Sequence, residues 1–372
     1  MPISIEKIAE PNIAAGDSDC AQPKLQLKPL TVLALHGQDA HMGPKAQSAQ
    51  VAQYLVSRGV KPGDRVAIML EPTPAFYAVL FGAIKAGAIA VPLFTLFGPD
   101  GLRLRIDDCK PRLLFTNAEK APIATGVSAL DVVIADDDFL ASLEAFPTEF
   151  AWSSKADDLA VFQYTSGTTR ELPDAIRHTH RAVVVVTAAA LYGTGVRPDE
   201  EFFCPSSPAW GHGMWHGTLA PLALGLTIGT YSGRFDADRL MRALQDFRVT
   251  NLSAAATHYR MMKNAGTANR YSFALRKLTF TGEPLDSDTR EFARRTFGQA
   301  PLSFYGTTEI GVALTSYPGA ADLQRPDGAL GLPMPGMRIE VHRTHLRGEH
   351  AEAGQLVPQV GVVDVDEVLH ER

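Results

Sequence analysis

The sequence predicts an α/β protein built from doubly wound, mostly parallel sheets. They are expected in two stacked αβαβα subdomains, with the start of a small β-rich piece at the C-terminus. Three observations predict this. Short apolar runs alternate with helical stretches across short Gly/Pro turns, the pattern of parallel strands joined by crossover helices. At 372 residues the chain is long enough for two subdomains with sizeable cores. After Gly336 the apolar residues begin to alternate, which reads as strands.

The elements follow in order. Residues 1 to about 50 carry only weak periodicity. From Ala46 to Arg58 the positions of Val51, Leu55 and Val56 predict a helix that ends near Gly59. Lys61-Pro62-Gly63-Asp64 is a turn, and Arg65 to Leu70 a strand. Pro74 opens a helix carrying Phe76, Tyr77, Leu80 and Phe81, with Gly87 as its stop. Ala88 to Pro92 and Arg112 to Thr116 read as strands on either side of a helix from Leu102 to Cys109. A subdomain boundary is expected near residue 150, giving 1–150, 151–336 and a short β-rich remnant at 337–372. Beyond the boundary, strands are expected at Leu159 to Gln163, Phe202 to Cys204 and Leu226 to Tyr231. Asp236 is an N-cap for a helix to Phe247, with Leu240, Ala243, Leu244 and Phe247 on one face. Strands follow at Asn251 to Ser253, Lys277 to Thr281 and Leu302 to Tyr305. Asp286 or Ser287 caps a helix through about Phe297.

Composition narrows the function classes. Hydrophobic content of 45% with 20% charged residues marks a soluble globular protein. A net charge of −6 gives no basic footprint, which argues against nucleic acid as a partner. Cys20, Cys109 and Cys204 are far apart and form no CxxC pair, which fits a reducing cytoplasm. The N-terminal residues lack the charged and apolar regions of a signal peptide. The apolar stretch from Ala75 to Gly98 is interrupted by Lys85 and Pro92, so it reads as helix plus strand and not as a membrane span.

Two motifs carry chemistry. Tyr164-Thr165-Ser166-Gly167-Thr168-Thr169 follows a buried strand and packs four hydroxyls and a glycine into five residues. Glycine lets backbone N–H groups converge on an anion, and the hydroxyls add donors, so the stretch suits phosphate oxygens. The plainer reading is a solvated turn. Downstream, Tyr305-Gly306-Thr307-Thr308-Glu309 offers a ring for a flat base, hydroxyls for a phosphate and a carboxylate for a hard cation such as Mg2+. Its plainer reading is a strand-end turn with an exposed Glu. Both stretches follow strands, where open α/β sheets bind ligands, so together they point to one nucleotide crevice. Other fingerprints fail: there is no GxxxxGK[ST] and no GxSxG, and Gly211 to Gly217 imitates GxGxxG with His216 at the third glycine. His212 and His216 invite a zinc reading, but no Glu or Cys cluster accompanies them.

At these residues the chain resembles the adenylate-forming superfamily, the AMP-dependent synthetases and ligases that include acyl-CoA synthetases. Tyr-Thr-Ser-Gly-Thr-Thr and Tyr-Gly-x-Thr-Glu stand in the family's order and separation. Thr281-Gly282-Glu283-Pro284 is similar to its adenine-binding segment. Gly328 to Gly336 is similar to its Gly-x-Leu-Gly-x-Pro-x-Pro-Gly stretch, and Lys61 to Val66 and Lys85 to Ala88 also fit. The resemblance implies ATP, Mg2+ and coenzyme A as cofactors and a small carboxylic acid as substrate, with acyl-adenylate formation followed by transfer to a thiol. It implies that Thr165, Ser166, Gly167, Thr168 and Thr169 bind the β- and γ-phosphates, with Thr165, Thr308 and Glu309 in the catalytic set. Gly282, Glu283, Pro284, Tyr305, Gly306 and Thr307 would hold the nucleotide, Thr308 the α-phosphate and Glu309 the metal. Trp210, Gly211, His212 and Ala256 fall where the family builds its acyl pocket.

The chain departs from the family's pattern in places. Asp174 stands where the family carries a Lys, with Arg170 or Arg177 as the nearest replacement charges. If Gly361 to Asp364 aligns with the residues after the family's ribose-binding Asp, Gln359 occupies that Asp position. The family's mobile C-terminal domain, on the order of 100 residues, has no counterpart in the sequence, so a separate C-terminal domain or partner chain is expected to complete the site. Two readings therefore stand: an acyl-CoA synthetase-like enzyme, or a non-catalytic paralogue that holds nucleotide or acyl ligand without turnover.

Overall fold

The computed structural model describes residues 32–35, 40–41, 44–127, 130–165, 175–323, 326–344 and 357–363. Two short strands, β1 (Val32–Leu35) and β2 (Ala40–His41), open the described part. The next six form one sheet: β3 (Arg65–Met69), β4 (Ile89–Pro92), β5 (Leu113–Thr116), β6 (Asp131–Ile134), β7 (Leu159–Gln163) and β8 (Ile176–Thr179). Their order is β6-β5-β3-β4-β7-β8. All neighbours are parallel except β7 and β8.

A nine-stranded sheet takes β9 (Phe202–Cys204), β10 (Ile228–Tyr231), β11 (Asn251–Ala255), β12 (Lys277–Thr281), β13 (Leu302–Thr307), β14 (Gly311–Thr315) and β15 (Leu332–Pro333), in the order β15-β14-β13-β12-β11-β9-β10-β1-β2. Its middle is parallel; β14, β15 and β2 are antiparallel additions at the edges. β16 (Arg338–Thr344) and β17 (Val357–Val363) form a separate hairpin, in which Gln359 stands opposite His342. The sheets do not divide along the chain at residue 150. β7 and β8 complete the sheet begun by β3, while β1 pairs with β10 of the other. The alternation that predicts the strands does not say which sheet a strand joins.

Helices α1 (Pro44–Ser57), α2 (Pro74–Lys85), α3 (Pro99–Cys109), α4 (Ala121–Val127), α5 (Asp137–Ser142), α6 (Arg181–Ala189), α7 (Ala220–Ala223), α8 (Ala237–Asp246), α9 (Ala256–Ala265) and α10 (Ser287–Phe297) cover the sheets. One core holds α1, α2, α6 and the segment around Met214 and Trp215 between the inner faces of both sheets. A second lies under α8, α9 and α10 on the far face of the larger sheet. A third lies under α3 and α4 on the far face of the smaller one. The αβαβα layering thus runs across the whole molecule, with the central helical layer shared.

Local sequence explains these choices. α2 is apolar all round because it lies in the shared layer; Pro74 occupies its first turn, and Gly87, at φ +72°, turns the chain out. Asp236 accepts from Arg239 N at 2.7 Å and Asp286 from Thr289 N at 2.8 Å, so both predicted caps form. Among the described residues no helix is long and apolar enough to cross a membrane.

Candidate functional site

The site begins where β7 ends. β7 is buried from Ala160 to Gln163 because it lies between β4 and β8 inside the sheet. Tyr164 turns its ring into the outer core and donates its hydroxyl to Asp108 Oδ2 at 2.6 Å, which anchors the chain as it leaves the sheet. Burial, with Asp108 second, pushes that phenol's pKa far above its ordinary value. Thr165 is half-buried at the strand's end. Ser166, Gly167, Thr168 and Thr169, with Arg170 and Asp174, lie outside the described residues. Description resumes at Ala175. Arg177 in β8 is exposed, with its guanidinium 5.5 Å from the centre of the Phe162 ring.

The second strand end is β13. The expected strand to Tyr305 runs two residues further and pairs with β14, Tyr305 opposite Leu314 and Thr307 opposite Gly311, with a bulge at Tyr305/Gly306. Gly306 is dictated by this pairing, since a Cβ there would lie 1.9 Å from Gly311 O. Thr308 and Glu309 form the hairpin turn, Thr308 half-buried and Glu309 exposed. Glu309 makes no hydrogen bond or ion pair with another described residue. Its charge reaches His178 in β8, partly offsetting the burial that lowers that imidazole's pKa.

Between the two strand ends lies a rare π-helical segment, His212–Leu219, a geometry often found at functional sites. It is entered through Trp210 and Gly211. A Cβ on Gly211 would stand 3.1 Å from Thr308 Oγ1 and 3.7 Å from Gln163 Oε1. The bare Cα is therefore the point where the end of β7, the β13–β14 turn and the π segment converge. Trp215, one turn on, donates its indole N–H to Gln163 Oε1 at 2.8 Å and packs edge-on against His178 at 4.5 Å.

His212 forms the back of this wall. Its Nδ1 lies 2.9 Å from Ser206 Oγ and its Nε2 2.9 Å from Ser253 Oγ. Thr279 donates to the same Ser253 oxygen at 2.9 Å. Burial first, then the neighbouring His216 and His258, hold His212 well below its ordinary pKa. Both ring nitrogens lie against serine hydroxyls, and among the described residues no group of three or more His, Cys, Asp or Glu side chains is placed to hold the zinc ion that the His212/His216 spacing invited. Trp210 is half-buried, its ring 5.3 Å from His212. Its far edge would stand 3.0 Å from a Cβ at Gly282, where φ is +94°.

The other predicted residues are placed as follows. Glu283 turns its carboxylate to the hydroxyl of Thr257 and the guanidinium of Arg260. Pro284 is exposed, with its carbonyl 3.4 Å from Arg260 Nη1. Ala256 is fully buried among the helices over the larger sheet. Gln163, His178, Trp215, Ser206, Ser253 and Arg260 were not singled out from the sequence. Gln163 left a signal, as the one polar residue in the apolar run from Leu159. The serines and Arg260 left none.

The residues fit the implied groups. A single open carboxylate suits Mg2+, which keeps several waters and shares its oxygen ligands with phosphates. At the bare Gly211, Thr308 supplies a hydroxyl that suits a phosphate oxygen.

Known proteins resemble this chain in sequence and in fold. A family model described as AMP-binding enzyme matches residues 45–358. The chain is 27% identical over 315 residues to acetyl-coenzyme A synthetase of Bacillus subtilis, covering 80% of this chain and 54% of that protein. It is 30% identical over 308 residues to a 4-hydroxybenzoate–CoA/benzoate–CoA ligase of Rhodopseudomonas palustris, covering 79% and 56%. The crystal structure of Brucella canis acyl-CoA synthetase superposes with a TM-score of 0.78 at 27% identity, over 91% of this chain and 64% of that one. The chain spans about half the length of the curated relatives it matches.

Proposed function

The chain belongs to the AMP-binding enzyme family, and from that premise we propose that it activates a small carboxylic acid with ATP and passes the acyl group to coenzyme A. The observation that carries this reading is the convergence at Gly211. The end of β7 and the β13–β14 turn come from different sheets, yet Gln163 and Thr308 meet across the same bare Cα.

In the first step a carboxylate oxygen attacks the α-phosphorus of ATP. The bond to the bridging oxygen breaks, and pyrophosphate leaves with the electron pair. In the second, the thiol sulfur of coenzyme A attacks the acyl carbon, AMP leaves and the thiol proton is released. Catalysis of the first step is mainly alignment and stabilisation of charge on phosphate oxygens. Thr165, Ser166, Gly167, Thr168 and Thr169 would bind the β- and γ-phosphates, and Thr308 the α-phosphate. Mg2+, held by Glu309, would neutralise charge on the leaving pyrophosphate. The Tyr305 ring would face the adenine. Because the Glu283 carboxylate is committed to Thr257 and Arg260, the backbone of Gly282 to Pro284 is what remains for the base. The acyl group would lie against Trp210, Gly211 and His212, with Ala256 behind.

The test is to incubate the protein with ATP, Mg2+ and a panel of carboxylic acids, and to look for acyl-adenylate by mass spectrometry. Adenylate from at least one acid is expected, at a rate roughly tenfold lower or less in Thr308→Val, the loss of one charge-assisted hydrogen bond. No adenylate from any acid, with or without an added C-terminal domain from a relative, would overturn the reading.

A further inference from the structure

The loop between β12 and α10, residues 282–286, is exposed except at Leu285. Gly282 holds φ +94°, a conformation that other residues rarely adopt, and Pro284 has no backbone N–H. Such a loop has many conformations to lose before its backbone can meet a flat base in one geometry. Burial does little to hold it, so polar ties must.

α9 supplies them. Thr257, Arg260 and Lys263 recur every three residues and so share one edge of the helix. Thr257 donates its hydroxyl to the Glu283 carboxylate, and Arg260 Nη2 pairs with the same carboxylate. Arg260 Nη1 reaches the next residue, with the Pro284 carbonyl oxygen 3.4 Å away. One planar guanidinium thus spans two consecutive residues of the loop, a fork that a compact ammonium does not reproduce. Lys263, one turn on, lies 3.4 Å from Asp286, the residue that caps α10. Thr257 and Arg260 therefore grip the first part of the loop, and Lys263 the part that begins α10. At the loop's start a Cβ on Gly282 would meet the Trp210 ring at 3.0 Å, so the gripped part lies against the wall of the candidate site.

We propose that Arg260 is a positioning residue for the nucleotide base, acting by locking Glu283 and Pro284 so that the backbone from Gly282 to Pro284 is held in one conformation. This rests on the acid-activating reading, in which that backbone meets the base. The Glu283 carboxylate is then the handle by which the loop is held. Partly exposed ion pairs add little to overall stability. The effect here is local, on a loop whose order serves one ligand, so its loss is read in nucleotide binding ahead of acid binding.

The experiment compares wild type with Arg260→Gln, Arg260→Lys, Glu283→Gln and the Arg260→Gln/Glu283→Gln double variant. AMP is titrated by calorimetry, and KM for ATP and for the acid is measured in adenylate formation. Lys263→Ala, on the same helix edge but tied to Asp286, controls for general loosening of α9. Thr257→Val serves if Arg260→Gln does not fold, with the same pattern expected. Arg260→Gln is expected to weaken AMP binding and raise the ATP KM by about three- to tenfold, with acid KM and kcat near their wild-type values. Arg260→Lys, which keeps the charge, recovers part of the loss. The double variant is no worse than the poorer single one, because both substitutions remove the same tie. Unchanged AMP affinity and ATP KM would overturn the proposal, as would an equal rise in acid KM or an equal loss in Lys263→Ala. Each of those results leaves the acid-activating reading standing. No nucleotide binding by the wild type would overturn that reading as well.

Discussion

Gly306 has the least freedom of any residue in the site. A methyl group there would lie 1.9 Å from the Gly311 carbonyl oxygen, so the β13–β14 hairpin would have to open to admit it. Gly306→Ala is expected to cost about 1–3 kcal/mol or more and to displace Thr308 and Glu309, lowering both the melting temperature and Mg-ATP affinity. Unchanged values for both would contradict the hairpin geometry. His216 makes a different prediction. It is 7% exposed in the π segment, and burial pushes its pKa down to about 4 from the ordinary 6.5. Between those values the unfolded chain binds a proton that the folded chain refuses, so stability falls as the pH drops from 6.5 to 4 and this contribution flattens below. The full effect is about 3 kcal/mol. Denaturant titrations of wild type and His216→Leu across that window would show it as a shallower pH slope in the variant. At this scale the sequence is legible where chemistry and pattern coincide. The hydroxyls and Glu309 are visible, as is the glycine of Tyr305-Gly306, but the tie from Trp215 to Gln163 is not, because it spans residues from different elements.

Among the elements, those whose ends carry their own signal are read most closely. Asp236 and Asp286 cap α8 and α10 as their sequences predict, and Gly87 turns the chain out of α2. Removing the cap in Asp236→Ala is expected to cost about 1 kcal/mol, measured by urea unfolding, with nucleotide affinity unchanged because α8 lies on the far face of the larger sheet. A loss of affinity in that variant would mean that the far helices reach the site. α6 is the opposite case. Its run Ala182-Val183-Val184-Val185-Val186 has the β-branched composition of a strand, yet it forms a helix in the shared layer, with Val186 and Ala189 turned to the core. Tertiary packing overrides propensity there. β8 is equally hidden: Ile176-Arg177-His178-Thr179 is too polar to read as a strand, and only its antiparallel pairing with β7 makes it one. The two π segments, Ala190–Thr194 and His212–Leu219, have no periodicity in sequence that separates them from ordinary helix.

At the scale of the whole molecule, the doubly wound class followed from alternation alone, but the exchange of strands between the sheets did not. β7 and β8 are in the smaller sheet and β1 in the larger, because the shared helical layer brings both sheets to the same core. That sharing brings the end of β7 and the β13–β14 turn together at Gly211. The central claim is that this crevice holds a nucleotide with Tyr305 against its base. Calorimetric titration of Mg-ATP into wild type and Tyr305→Ala tests it most directly, with circular dichroism to establish that both are folded. The account predicts saturable binding by the wild type and affinity weaker by about tenfold or more in the variant. Equal affinity in the two proteins, or no binding by the wild type, would contradict it.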